Sequence, residues 1–158
     1  MAAFSVDIGL SKRLGYSRIL SKGKDFSLSE SHHGAEMPSI ICSSDHGTIM
    51  SALRSPDVTG IIFKHNALDK KAVEKAAESS KTIFIPIFQL TCAGISERRS
   101  IARDMRKLIY YAHKARARVR LISLAESGEQ LLSVSQMRQI AALLIKEGSE
   151  ELVIGDFA

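Results

Sequence analysis

The feature that most constrains this chain is an alternation: short apolar, β-prone runs are followed by segments with helical spacing. Strands are expected at Phe4–Ile8, Ser17–Leu20, Ser39–Cys42, Gly60–Lys64, Thr82–Phe88 and Val119–Leu124. A helical turn is expected at Ser11–Tyr16, and helices at Asp45–Leu53, Asp69–Ser79, Glu97–Ala117 and Ser133–Lys146. A helix between successive strands brings the chain back parallel, so the fold class is α/β, built of parallel β/α units. Thr82–Phe88 is almost continuously apolar, as strands covered on both faces are. An eight-unit barrel takes about 250 residues, and this chain has 158. The expected architecture is therefore an open doubly wound sheet or a compressed or incomplete barrel of the TIM type. No repeat and no linker divides the chain, which reads as a single α/β domain over 1–158.

Local signals mark the helix ends. Ser44 or Asp45, then Asp69 and Ser96, stand where N-caps are expected. In the second helix Val73, Ala76 and Ala77 have inward spacing. Ser133 with Gln136 forms a capping box, and Gly148 is the expected stop. Ser21–Pro38, with Gly23, Gly34 and the pair His32-His33, reads as a polar loop, and Leu90–Ser96 as a second loop. Leu152–Ile154 is either a last strand or the start of a short helix.

The formal net charge is +5, and it is unevenly placed. Between Arg98 and Arg120 nine basic residues face one acid, Asp104, for a local net of +8. The rest of the chain, with thirteen basic and sixteen acidic residues, sums to −3. A clustered positive strip points to a polyanion more strongly than a uniformly high isoelectric point does.

Most of that strip falls on the predicted helix Glu97–Ala117, roughly 31 Å long at 1.5 Å per residue. On a helical wheel Ile101, Met105, Leu108, Ile109 and Ala112 share one stripe. Arg99, Arg103, Arg106, Lys107, Tyr110 and Lys114 share the opposite one. Like charges at i,i+4, such as Arg99/Arg103 and Arg103/Lys107, cost a few tenths of a kcal/mol each. Helix propensity does not demand cations, since Glu and Gln serve as well. Arginine presents a planar fork matched to phosphate oxygens, and Tyr110 can stack on an unpaired base. An anionic membrane is a poorer partner, because the apolar stripe is needed for the core.

Enzymatic readings find less support. Catalytic groups of β/α folds sit at the C-terminal ends of strands. Here those positions hold Asp7, then Ser43, Ser44, Asp45 and His46, then Lys64, His65 and Asn66, then Gln89, then Ser123, Glu126 and Ser127. No His-x-His and no His-Glu-x-x-His spacing occurs. No nucleophile elbow, phosphate-binding loop or dinucleotide fingerprint occurs either. The best alternative is a barrel-type metal-dependent hydrolase centred on Asp7, Asp45, His46 and His65. Cys42 and Cys92, near strand ends, are expected to be small buried residues. No cofactor, no metal site and no catalytic residue is expected. No apolar run approaches the roughly 20 residues that span a bilayer. Met1–Asp7 lacks the pattern of a secretion signal, so the expected setting is cytoplasmic.

Several segments resemble, in order, the archaeal ribonuclease P protein component 3 family, counterpart of the eukaryotic 30-kDa subunit. Val6-Asp7-Ile8 is similar to its opening strand, and Lys12–Tyr16 with Ser17–Leu20 to its first helix end and second strand. Asp57–Phe63 resembles its mid-barrel strand, and Ile83–Ile87 the strand after it. Arg98-Arg99, Met105–Leu108 and Tyr111–Lys114 look like its basic helix. Val119–Ser123 resembles the next strand, and Leu132–Gly148 the late capped helix. The resemblance implies a TIM-type barrel and an RNA-binding protein with no activity alone. Its members assist a catalytic RNA in removing the 5′ leader of precursor tRNA, and pair with protein component 2, often as a heterotetramer. It implies ribonuclease P RNA and precursor tRNA as partners. The RNA-binding residues expected here are Arg98, Arg99, Arg103, Arg106, Lys107, Tyr110, Lys114 and Arg116. The chain departs from the family pattern in its short first helix, in the polar stretch Ser21–Pro38, and in having Leu124-Ala125-Glu126 where a Gly-containing turn is usual.

Overall fold

Parallel strands pair only when a crossover returns the chain to the same edge of the sheet, and the helical segments supply such crossovers. A computed structural model describes residues 27–30, 39–64, 68–124 and 132–145. They form β1 (Ser27–Ser29), β2 (Ser39–Ser43), α1 (His46–Arg54), β3 (Val58–Phe63), α2 (Lys70–Glu78), β4 (Thr82–Pro86), α3 (Phe88–Cys92), α4 (Ile95–Ala115), β5 (Arg118–Ile122) and α5 (Val134–Leu144). The fold is α/β, with five strands in one all-parallel sheet.

The strand order is β1-β2-β3-β4-β5, with no reversal. Right-handed crossovers that always step in the same direction place their helices on one face of a sheet. A doubly wound sheet reverses at a switch point, and no such reversal occurs among the described strands. The packing agrees. Ile41, Ile61, Ile83, Ile85, Val119 and Leu121 of the strands share one core with Ile49 and Leu53 of α1 and Val73 and Ala76 of α2. Ile101, Met105, Leu108, Ile109 and Ala112 of α4 join it, as do Met137, Ala141 and Leu144 of α5.

Gly60 lies opposite Thr82 in the β3–β4 ladder. A Cβ there would collide with the Thr82 carbonyl oxygen and with the edge of the Phe84 ring. Only glycine lets β4 and this ring approach so closely.

The caps follow the residue types. Asp45 caps α1, its carboxylate accepting from Thr48 N–H at 2.6 Å. Asp69 caps α2 and accepts from Lys71 N–H at 2.9 Å. The capping box opens α5: Gln136 N–H donates to Ser133 Oγ at 3.2 Å, and Ser133 N–H to Gln136 Oε1 at 2.8 Å.

Several expectations need correction. The polar stretch Ser21–Pro38, expected as a loop, contains β1, which pairs parallel with β2. Its Ser-Leu-Ser triplet has weak propensity, and the neighbouring strand supplies the backbone partners. β4 ends at Pro86, and Phe88–Cys92, expected as strand end and loop, is one helical turn. Leu90 and Thr91 N–H groups bond the Ile87 carbonyl there, which curls the chain. The basic helix begins at Ile95 with Gly94 as N-cap and no side-chain cap bond, so Ser96 lies inside it. It ends at Ala115, not Ala117. Arg116 takes a left-handed conformation (φ 56°), and its N–H bonds the Ala112 and His113 carbonyls. No glycine marks that stop, and arginine is a good helix former, so the sequence conceals it. In α2 the inward set is Ala72, Val73 and Ala76, with Ala77 only half-buried. The elements expected at Phe4–Ile8, Ser11–Tyr16, Ser17–Leu20 and Leu152–Ile154, and the stop at Gly148, lie outside the described residues.

Two outcomes are expected. Gly60→Ala should lower stability by about 1–3 kcal/mol through overpacking, measured as a fall in the urea midpoint. Asp45 is the second case. The Thr48 N–H holds the Asp45 carboxyl below its ordinary value of 3.8. Its capping contribution is thus present above that value and lost as pH falls through the lower folded one. Asp45→Asn keeps a cap but not the titration. In thermal melts the variant should match wild type near neutrality and lose less stability in acid.

Candidate nucleic-acid interface

A basic helix becomes a surface only if its rotation about its own axis is held. On α4 the buried residues are Ile101, Met105, Leu108, Ile109 and Ala112, the five that the wheel assigns inward. Arg98, Arg99, Arg103, Arg106, Lys107, Tyr110, Lys114 and Arg116 are all exposed.

Their partners divide them. Arg98 folds back over the α3–α4 turn and donates to the carbonyls of Ala93 at 3.0 Å and Thr91 at 3.4 Å. Arg106 donates to the Leu143 carbonyl at 2.9 Å. That oxygen belongs to the last turn of α5, where helix carbonyls lack intrahelical partners. Arg103 donates to Ser100 Oγ at 3.3 Å and lies 3.7 Å from the Asp104 carboxylate. Among the described residues, Arg99 and Lys107 have no hydrogen-bonded or ionic partner.

The far end of α4 is different. Tyr110 is 53% exposed, and the Lys114 ammonium sits over its ring, 4.8 Å from the centroid. Tyr111 stands beside it, tilted by 56° with the centroids 5.8 Å apart. The Tyr110 phenol beside Lys114 pushes its ammonium above the ordinary 10.5, so the cation persists well above neutrality. Arg116 follows as the left-handed cap. On β5, Arg118 and Arg120 are exposed and alternate with buried Val119 and Leu121. These two arginines counted toward the basic segment but were absent from the expected site. Their signal was the Arg-Val-Arg-Leu alternation, which marks a strand with one solvated face.

Of the rival metal centre, only Asp45 and His46 lie among the described residues. Among the described residues no group of three or more His, Cys, Asp and Glu side chains could hold a metal ion. His46 Nδ1 lies 2.6 Å from Asp69 Oδ2, which links the first residue of α1 to the cap of α2. Asp45 and Asp69 serve as helix caps. Asp7, His65 and His32-His33 lie outside the described residues. Lys64 pairs with the Glu30 carboxylate, which drops below its ordinary value while the ammonium rises. Cys42 is half-buried, but Cys92, expected to be buried, is exposed because α3 carries it into solvent. The cleft between the ends of β3 and β4 and α4, lined by Phe63, Phe84, Gln89, Ile101 and Met105, holds about 40 Å³. That is room for a water or so.

Neither a protein-family model nor a curated protein matches the chain. Among the described residues no helix is long and apolar enough to cross a membrane.

The carbonyl-bound arginine predicts a separation of roles. Arg106→Ala should lower stability by about 1 kcal/mol, because α5 loses a charge-assisted tie. Lys107→Ala should stay within about 0.5 kcal/mol of wild type. Urea denaturation of the two variants side by side makes the comparison.

Proposed function

We propose that this protein is a non-catalytic RNA-binding subunit of ribonuclease P, assisting a catalytic RNA in the 5′ maturation of precursor tRNA. The observation that carries the reading is the outward face of α4. It holds a row of cations in which, among the described residues, the one carboxylate in contact is Asp104, 3.7 Å from Arg103. A face meant only for solvation has no need to forgo the acids that would relieve its own repulsion. The in-order resemblance of residues 4–148 to protein component 3 narrows polyanion to ribonuclease P RNA and precursor tRNA.

On the same reading the five strands are the larger part of a compressed or incomplete TIM-type barrel, which is also wound in unreversed order. The protein partner is component 2, in a heterotetramer, and the setting is cytoplasmic. The cations position RNA through phosphates and read shape more than sequence. Catalysis belongs to the RNA.

The triple variant Arg99→Glu/Arg103→Glu/Lys107→Glu should bind precursor tRNA severalfold or more weakly while its circular dichroism stays native. Wild-type affinity should also fall with salt, by a slope of roughly 0.7–0.9 per phosphate contacted. A folded triple variant with wild-type affinity in a gel-shift titration, or a flat salt dependence, would defeat the reading.

A further inference from the structure

The two ends of the basic segment are built differently. Toward the start of α4, Arg98 and Arg106 are spent on main-chain carbonyls, and Arg103 contacts Ser100 and Asp104. From Tyr110 to Arg120 the exposed groups are Tyr110, His113, Lys114, Arg116, Arg118 and Arg120, of which Lys114 and the three arginines are permanent cations. Among the described residues none of these four cations has a carboxylate or carbonyl partner. Arg99 and Lys107 also have no partner among the described residues, but the end of α4 adds an exposed aromatic ring under a cation and β5 adds a second pair of exposed arginines, so that end offers a ligand more than phosphate contacts.

Their directions differ too. Val119 and Leu121 point into the core that α4 covers. Side chains alternate along a strand, so Arg118 and Arg120 point to the opposite face of the sheet, which a closed barrel would fill with side chains; both are exposed, so at β5 this face is open as in an incomplete barrel. They stand opposite Thr82 and Phe84 in the β4–β5 ladder, about 6.6 Å apart along the strand. That step resembles the separation of successive phosphates along an extended strand. α4 turns its own cations the other way, so a helix-plus-sheet layer of roughly 20 Å lies between the two basic faces. Arg116, in the tight turn between them, bridges the two around the β5 side, where no further strand pairs among the described residues.

A stiff duplex can lie on one such face but not bend around the edge to the other; duplex DNA, for scale, stays straight over about 150 base pairs. A single strand turns within a few nucleotides. An exposed tyrosine among cations is also the usual platform for an unpaired base.

We propose that the site takes a single-stranded RNA segment, stacked on Tyr110 beside Lys114 and led past Arg116 onto Arg118 and Arg120 on the far face of β5. This rests on the RNA-binding reading above and specifies which form of RNA the site accepts. Charged residues on an outer strand also guard against edge-to-edge aggregation. Glutamate guards an edge equally well, so charge reversal separates the two roles.

The experiment is fluorescence anisotropy with a labelled oligouridylate and with a blunt RNA duplex of equal length. Wild type should prefer the single strand. Arg118→Glu/Arg120→Glu should weaken oligouridylate binding about tenfold or more and change duplex binding far less. Arg118→Gln/Arg120→Gln, the milder change should charge reversal impair folding, should lower the salt slope for the single strand by about 1.4. Tyr110→Leu should weaken the single strand severalfold and spare the duplex. If the folded arginine variants bind oligouridylate like wild type, or wild type prefers the duplex, the path over β5 is overturned and the α4 reading stands. If wild type binds neither RNA, both readings fall.

Discussion

Everything on this surface depends on one interaction: the burial of Ile101, Met105, Leu108, Ile109 and Ala112 of α4 against the sheet and its neighbouring helices. Burying a large aliphatic side chain contributes about 1.5–3 kcal/mol. Repulsion between like charges four residues apart costs a few tenths. The apolar stripe therefore sets the rotation of the helix, and the cations go where that rotation leaves them. A row of arginines is tolerable because the opposite side of the same helix is buried in the core.

The sheet imposes the second constraint. Five strands in unreversed parallel order gather the described helices on one side. That leaves a second face whose chemistry changes from strand to strand. On β2, β3 and β4 it is mostly apolar, with Ile40, Ile62 and Pro86 buried there, and Gly60 makes room for the Phe84 ring. On β5 it is Arg118 and Arg120. The same layer is thus basic on its outer helix and again on the last of the described strands.

Not every cation in a basic segment serves the same purpose. Arg98 and Arg106 reach main-chain carbonyls left over at the ends of α3 and α5, which holds those ends to α4. Lys107 and Arg99 have no such task among the described residues. Lys114 is held over Tyr110, an arrangement that keeps an aromatic face and a charge together at the surface.

Much of this was legible in the residues. The β/α alternation, the five inward positions of α4, the Ser133–Gln136 capping box and the clustering of charge are all local patterns with a period or a fixed offset, and the chain carries them wherever it goes. Other features were decided by contacts between distant segments. β1 forms within a polar stretch because β2 lies alongside. Arg106 is recruited by a carbonyl 37 residues away. Arg116 closes a helix that composition alone would have continued, and Cys92 is exposed because a single helical turn replaces a loop. Periodicity reports which side of an element is apolar. Only the tertiary arrangement decides which polar groups find partners, because those partners come from elsewhere in the chain.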